Sequence, residues 1–207
     1  MKTLFKTCLL LCLFFVASCS KDTDDDEPEV HNYFMVGDTE YNLQAAVLEY
    51  GGSANGSILF DGYLYSLVMY SGGLVYKDLG SEGWTLSGEG NILQFFMFSD
   101  TGLSLEAGRY DFYPDEPYPT GTFAFGLYVI NWDSAEDDSE AGDLIVSGRV
   151  TVAISDDIYE FTIECTGDSG IDVCGYYKGA VRYLNTYNTN AFVSKILKEP
   201  ELWHFNP

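Results

Sequence analysis

Apolar and polar residues alternate with a period of two along most of this chain. In Tyr41–Val47 the apolar side chains fall mainly on odd positions, and in Leu144–Ile154 one face reads Leu144, Val146, Gly148, Val150, Val152, Ile154. Successive side chains of a strand point to opposite faces, so this alternation predicts half-buried strands. Asp156 and Asp157 separate the second run from Ile158–Cys165, in which Tyr159, Phe161, Ile163 and Cys165 share one apolar face. A two-residue gap between such runs predicts a hairpin. Ile92–Phe98 and Phe123–Trp132 are apolar on both faces, which predicts strands covered on both sides and makes them poor edges.

Further runs at 58–60, 63–70, 108–113 and 175–183 bring the count to roughly ten strands, a spacing typical of sandwiches and barrels. Only Asn190–Lys198 has the pattern of a short helix, ending before Pro200. Trp203 and Phe205 beyond it suggest that the tail packs back on the domain. The expected fold is all-β, an antiparallel β-sandwich, with a closed lipocalin-like β-barrel as the alternative that the same strand count allows. Gly83-Trp84 does not decide between them, because it lies mid-chain and the lipocalin Gly-x-Trp pattern opens its domain.

The first residues change the picture. Lys2 and Lys6 precede an uncharged apolar stretch, Leu9–Val16, which is followed by Ala17, Ser18 and Cys19. That is the order of a signal peptide, and the stretch is shorter than the roughly 18 to 20 residues of a spanning helix. Val16-Ala17-Ser18-Cys19 resembles the lipobox of bacterial lipoproteins. The resemblance implies removal of residues 1–18, diacylglycerol on the Cys19 thiol and anchoring in a membrane by acyl chains. Asp22–Glu29 holds six acidic residues and almost nothing apolar, so 19–32 reads as a lipidated, disordered tether and 33–207 as a single β domain. The tether is similar to the acidic export signals of Bacteroidota lipoproteins. That likeness implies an outer-membrane anchor with the domain on the cell surface, the periplasmic face being the alternative.

Composition narrows the partners. The chain carries 32 Asp and Glu against 10 Lys and Arg, and loss of Lys2 and Lys6 with the leader takes its formal charge from −22 to −24. Such a chain is repelled by phosphates, so nucleic acid is excluded as a natural partner. Cys8 and Cys12 leave with the leader and Cys19 carries lipid, so Cys165 and Cys174 remain. In an oxidising compartment an even pair predicts a disulfide. The strand pattern argues the other way, since setting the two cysteines opposite each other would place Phe161 against Lys178.

Leu105–Phe112, Val146–Val152 and Tyr176–Ala180 are similar to a recurrent Bacteroidota lipoprotein pattern: L-x-x-G-x-Y-x-F, I-x-S-G-x-V-x-V and Y-x-G. This resemblance covers about the C-terminal half and implies a fold neighbourhood without an activity.

Candidate chemistry is sparse. His31 and His204 lie near the two ends of the chain, outside any context that builds a general base. No carboxylate pair stands out as a glycosidase site. Asp133–Asp143 is rich in hard oxygen ligands but lacks the ordered spacing of a calcium loop, so no metal and no cofactor is expected. Tyr113, Tyr118 and Trp132 with Asp115 and Glu116 form an aromatic and acidic group near Pro114, Pro117 and Pro119. Sugar rings stack on flat aromatic faces while carboxylates accept their hydroxyls, which makes these five residues a candidate glycan site, although tyrosine and proline at strand ends also simply close cores. The leading expectation is a non-catalytic binding module with a glycan or protein partner. A strand-exchanging component of a pilus-like surface assembly is second, and an unrecognised hydrolase is third.

Overall fold

The computed structural model describes residues 30–54, 58–80, 83–136 and 138–185. The leader, Cys19, most of the tether, the helix expected at 190–198, Trp203, His204 and Phe205 lie outside the described residues. Eleven strands follow in order: β1 (Tyr33–Val36), β2 (Thr39–Asn42), β3 (Ala45–Ser53), β4 (Tyr63–Tyr70), β5 (Leu74–Asp78), β6 (Trp84–Ser99), β7 (Gly108–Phe112), β8 (Thr122–Asp133), β9 (Ala141–Ser155), β10 (Ile158–Gly167) and β11 (Asp172–Asn185).

The strands run β10-β9-β7-β8-β6-β4-β3-β11, and β10 also pairs with β11, which closes the sheet into an eight-strand barrel. The fold is therefore a barrel and not the expected sandwich. Alternation alone fits either; the stagger decides. β11 pairs with β10 over 172–180 on one edge, and on the other with β1 over 173–176 and then, in parallel, with β3 over 181–185. β9 likewise passes from β8 at 141–145 to β7 at 149–152. Long strands that hand over between neighbours in this way give the shear a closed barrel needs.

The barrel is filled. Phe34, Leu48, Tyr65, Leu67, Met69, Leu93, Phe95, Met97, Phe123, Phe161 and Ile163 are all within 1% of full burial and belong to one cluster. This packed interior departs from the cavity of a lipocalin. Gly126 faces inward on β8, where a Cβ would lie 2.9 Å from Phe95 Cδ1 and 3.0 Å from Ile145 Cβ; its missing side chain makes room for the phenylalanine ring. The apolar run Leu144, Val146, Gly148 does not stay on one face. The register of β9 against β10 shifts between Thr166 and Gly167, and Gly148 adopts φ +111, so Ile145 points inward and Val146 outward.

The segments apolar on both faces occupy the expected place. Outside the barrel wall of β4, β6 and β8, one apolar layer gathers Phe60, Leu64, Phe96, Phe98, Tyr118 and Ala124. A second gathers Val68, Leu74, Ile92, Leu127 and Val129, with Tyr76, Leu86 and Trp132 packed against it. The connection 113–121 covers the first layer, and the hairpin of β5 with the start of β6 covers the second. The hairpin expected at Asp156-Asp157 is present; both residues have positive φ, 50° and 65°, as a two-residue turn of matching twist requires. The stretch 58–60 is not a strand, and Phe60 forms only an isolated bridge to Tyr118.

Cys165 and Cys174 are unpaired, so the expected disulfide is absent. Cys165 lies opposite Val173 and Cys174 opposite Glu164. This register puts Phe161 beside Tyr177 inside the barrel and leaves Glu160 beside Lys178 outside. It resolves the conflict that the strand pattern raised, and it points the two thiols to opposite sides of the wall. Burial pushes the Cys165 thiol up to about 12.

Candidate functional site

The two ends of the barrel differ. At one end Phe34, Tyr41 and Leu43, from and beside the β1–β2 hairpin, pack on the interior cluster. At the other end strands β3, β10 and β11 and the start of β4 bring tyrosines together. Tyr50 lies near the end of β3, Tyr63 and Tyr65 at the start of β4, Tyr159 at the start of β10 and Tyr183 near the end of β11. Ring centroids are 6.4 Å apart for Tyr50 and Tyr63, 5.7 Å for Tyr50 and Tyr65, and 6.4 Å for Tyr65 and Tyr183. The Tyr65 and Tyr183 hydroxyls share a hydrogen bond, and Tyr159 is close enough to both to interact electrostatically.

The loop between β6 and β7 lies across this end. The Tyr65 hydroxyl donates to the Thr101 carbonyl at 3.0 Å, Tyr159 bonds the Ser104 hydroxyl, and the Tyr110 hydroxyl donates to the Glu106 carbonyl at 3.0 Å. Leu105 is fully buried beneath the loop, while Leu103 at its tip is 89% exposed. Gly102 sits on the Tyr63 ring, where a Cβ would come within 2.5 Å of Cε1. Around the loop, Tyr183 is 43% and Ile154 38% exposed. The result is a solvent-reaching aromatic and apolar rim over a packed core.

Burial raises the titration of Tyr65, Tyr159 and Tyr183 above the usual phenol range, so these hydroxyls stay neutral and can both donate and accept. Acidic groups stand at this end: Asp157 acts on Tyr159, and Asp100 and Glu106 act on Tyr110, while the nearby Arg109 is paired with Asp111. A rim of neutral phenols, apolar side chains and carboxylates suits an uncharged or cationic ligand and repels an anionic one.

The five residues expected to bind glycan do not converge. Asp115 and Glu116 are exposed beside Tyr118, close enough to raise its titration, while burial is the larger cause. Tyr118 itself is only 4% exposed, stacked on Phe98 at 5.1 Å and 16°. Tyr113 is exposed on the connection that follows β7. Trp132 packs in the other outer layer, opposite Gly90, whereas Tyr118 sits at Phe98. Eight residues of β6 at about 3.3 Å each separate the two rings by roughly 25 Å.

The tyrosine end was missed because its members are scattered over more than 130 positions. The available signal was tyrosine recurring at the ends of alternating runs, and it becomes a site only once strand direction and closure are known.

A second polar group lies outside the wall. Glu49 of β3 is bonded to Tyr76 of β5 and Ser66 of β4, and Gln94 Nε2 donates to Ser66 Oγ at 2.9 Å. Burial pushes the Glu49 carboxyl above its usual range, and the two hydroxyl bonds offset part of that. The cluster fastens the β5 hairpin to the barrel, as does the Arg182 guanidinium lying 4.2 Å from the Trp84 ring centre. Carboxylates of the acidic loop 133–143 are already engaged: the Ala135 backbone amide donates to the Asp133 carboxylate, the Ser139 backbone amide to the Asp138 carboxylate, and the Asn131 side-chain amide to the Glu140 carboxylate. Among the described residues no group of three His, Cys, Asp or Glu is placed to hold a metal ion. His31 is exposed and bonds Glu40 at 2.9 Å.

Comparison with protein families, with curated protein sequences and with solved structures finds no match to this chain. Among the described residues no helix is long and apolar enough to cross a membrane.

Proposed function

We propose that this protein is a surface lipoprotein, anchored through Cys19, whose barrel presents its tyrosine end as a non-catalytic binding site for neutral sugar chains. The observation that carries the reading is the gathering of Tyr50, Tyr63, Tyr159 and Tyr183 at one end of a filled barrel, with Tyr183 and Ile154 reaching solvent. Phenol rings offer apolar faces to the C–H side of a pyranose, and their hydroxyls exchange hydrogen bonds with its own. The acidic groups nearby select against sulfated or uronic chains. The lipobox-like leader and acidic tether support the address. The pilus-like reading draws less support: the barrel strands are closed on one another, and the free edges among the described residues are short, those of β2 and β5, of four and five residues, and the first residues of β6, which pair with β5 alone before β8 joins at Glu89.

Affinity electrophoresis of the full chain in gels containing neutral or uronic polysaccharide tests the binding. Retardation by a neutral polymer, lost in Tyr183→Ala and Tyr63→Ala and kept in Tyr113→Ala, is the expected result. Retardation that survives both rim substitutions would place the site elsewhere. Protease shaving of intact cells, with a Cys19→Ala variant beside the wild type, tests the address separately: protection of the wild type would contradict surface display.

A further inference from the structure

We propose that the ladder of β5 with Trp84–Gly88 of β6 is a strap over the outer apolar layer, held shut while Glu49 carries a proton and released when it ionises. Among the described residues β5 pairs with β6 alone, and β6 leaves it to join β8 at Glu89 and β4 at Ile92. The two legs meet the wall at glycines. Gly73 and Gly88 have φ +96 and +114, and a Cβ on either would strike the opposite leg, at the Glu89 or the Gly73 carbonyl oxygen. Ser134 pins this foot, its amide donating to the Gly88 carbonyl at 3.0 Å and its hydroxyl accepting from the Gly88 amide at 2.8 Å. Beyond the foot, side chains hold the strap down. Leu74 and Leu86 lie on the layer of Val68, Ile92, Leu127 and Val129, Tyr76 meets Tyr70 at 5.7 Å, and Trp84 lies under the Arg182 guanidinium at 4.2 Å. A two-stranded unit fixed at one foot and held elsewhere by side chains can open while the barrel stays closed.

Glu49 sits on β3 with Ser66 of β4 on one side and Leu184 of β11 on the other. The Tyr76 hydroxyl reaches it from β5 and the Ser66 hydroxyl from β4, and Gln94 of β6 is bonded to Ser66 in turn. No positive charge is among these partners; Arg182 of β11 is seated on Trp84 and acts on Tyr70. The carboxyl therefore lies under the strap with hydroxyls and no counter-ion, and burial holds its proton more tightly than the two hydroxyl bonds loosen it. Opening brings water to the carboxylate and returns it to ordinary behaviour. Closure is thus favoured in full below 4.5, and above that the open fraction grows by up to about tenfold per pH unit until the raised value of the closed form is passed. What the strap uncovers is the face of Val68, Ile92, Leu127 and Val129. None of this depends on sugar binding at the tyrosine end, so a failed sugar titration leaves it intact.

Native-state amide exchange of the full chain, followed from pH 4.5 to neutrality and corrected for the intrinsic pH dependence of exchange, tests the strap. The expected result in wild type is a several-fold or greater loss of protection in the β5–β6 ladder as pH rises, with the β4–β6 ladder unchanged. Glu49→Gln cannot ionise and should show a flat profile in both ladders. Tyr76→Phe removes one hydroxyl from the carboxylate, raises the closed form's hold on the proton further and should enlarge the loss; it also supplies the comparison if Glu49→Gln folds poorly. Three results would overturn the proposal: a flat wild-type profile, a loss in Glu49→Gln or Tyr76→Phe that equals that of wild type, or protection falling in step in the two ladders, which would mean that the proton acts on the whole domain and not on the strap.

Discussion

The barrel has two unlike walls. On β4, β6 and β8 both faces are apolar: Leu67, Leu93 and Phe95 point inward, while Val68, Phe96, Phe98 and Leu127 point outward under a second cover of loop and hairpin. On β9, β10 and β11 the inward face is equally apolar, with Val150, Val152, Phe161, Ile163 and Tyr177, but the outward face is wet. There Arg149 pairs with Glu164 at 2.5 Å and Lys178 with Glu160 at 3.3 Å, with Thr151 and Thr162 exposed between them. The difference shows how one chain divides its labour. The doubly covered wall carries stability, and the singly covered wall carries alternation and the strand ends that display tyrosines.

The sharpest way to break this comparison is to substitute outward residues on each wall. Phe98→Ala, on the covered wall, is expected to cost about 3–5 kcal/mol by leaving a cavity against Phe60 and Tyr118. Thr162→Ala, on the wet wall, should stay within about 0.5 kcal/mol. Urea unfolding measures both, and equal losses would mean that the outer layer is not a second core.

Ser66→Ala probes the polar seam within the covered wall. It strands the Gln94 amide and removes one bond to Glu49, for an expected loss of about 1–3 kcal/mol in the same assay. Glu49 sharpens the comparison through pH. Its folded carboxyl titrates above the ordinary 4.5, so the folded state holds the proton more tightly than the unfolded chain does. Its stabilising contribution is full below 4.5 and is lost as pH rises through the raised value. Glu49→Gln is therefore expected to gain stability relative to wild type as pH climbs from 4.5 toward neutrality. Parallel pH–stability curves for the two proteins would contradict the buried placement.

The smallest effects belong to the wet wall. Arg149→Ala should leave stability almost unchanged, and less affected still in high salt, because both partners are substantially exposed. Cys174→Ser should be neutral. A thiol reagent should modify Cys174 in the native protein and reach Cys165 only on unfolding, and loss of both thiols in the native, unreduced protein would restore the disulfide.

Much of this architecture was legible in the sequence. Ile92–Phe98 and Phe123–Trp132 declared themselves as doubly covered, and the Asp156-Asp157 turn was readable because two-residue hairpins leave a fixed mark. Closure was not legible, since inward and outward alternation is the same in a sandwich and in a barrel. The Cys165–Cys174 expectation failed because spacing ignores register, whereas the facing pattern of Phe161 and Lys178 already opposed it. Tyr118 and Trp132 misled for a related reason: aromatic residues close in sequence were separated along β6 into two outer layers. The tyrosine rim was invisible for the opposite reason, being close in space and remote in sequence.

The most direct test of the account is amide hydrogen exchange along the β10–β11 seam, because that pairing closes the barrel and gives it one end to work with. The account predicts that amides of β10 facing β11 exchange as slowly as those joining β4 to β6. Exchange at the rate of a free edge, with the β4–β6 amides still protected, would mean an open sheet and would remove the tyrosine rim along with it.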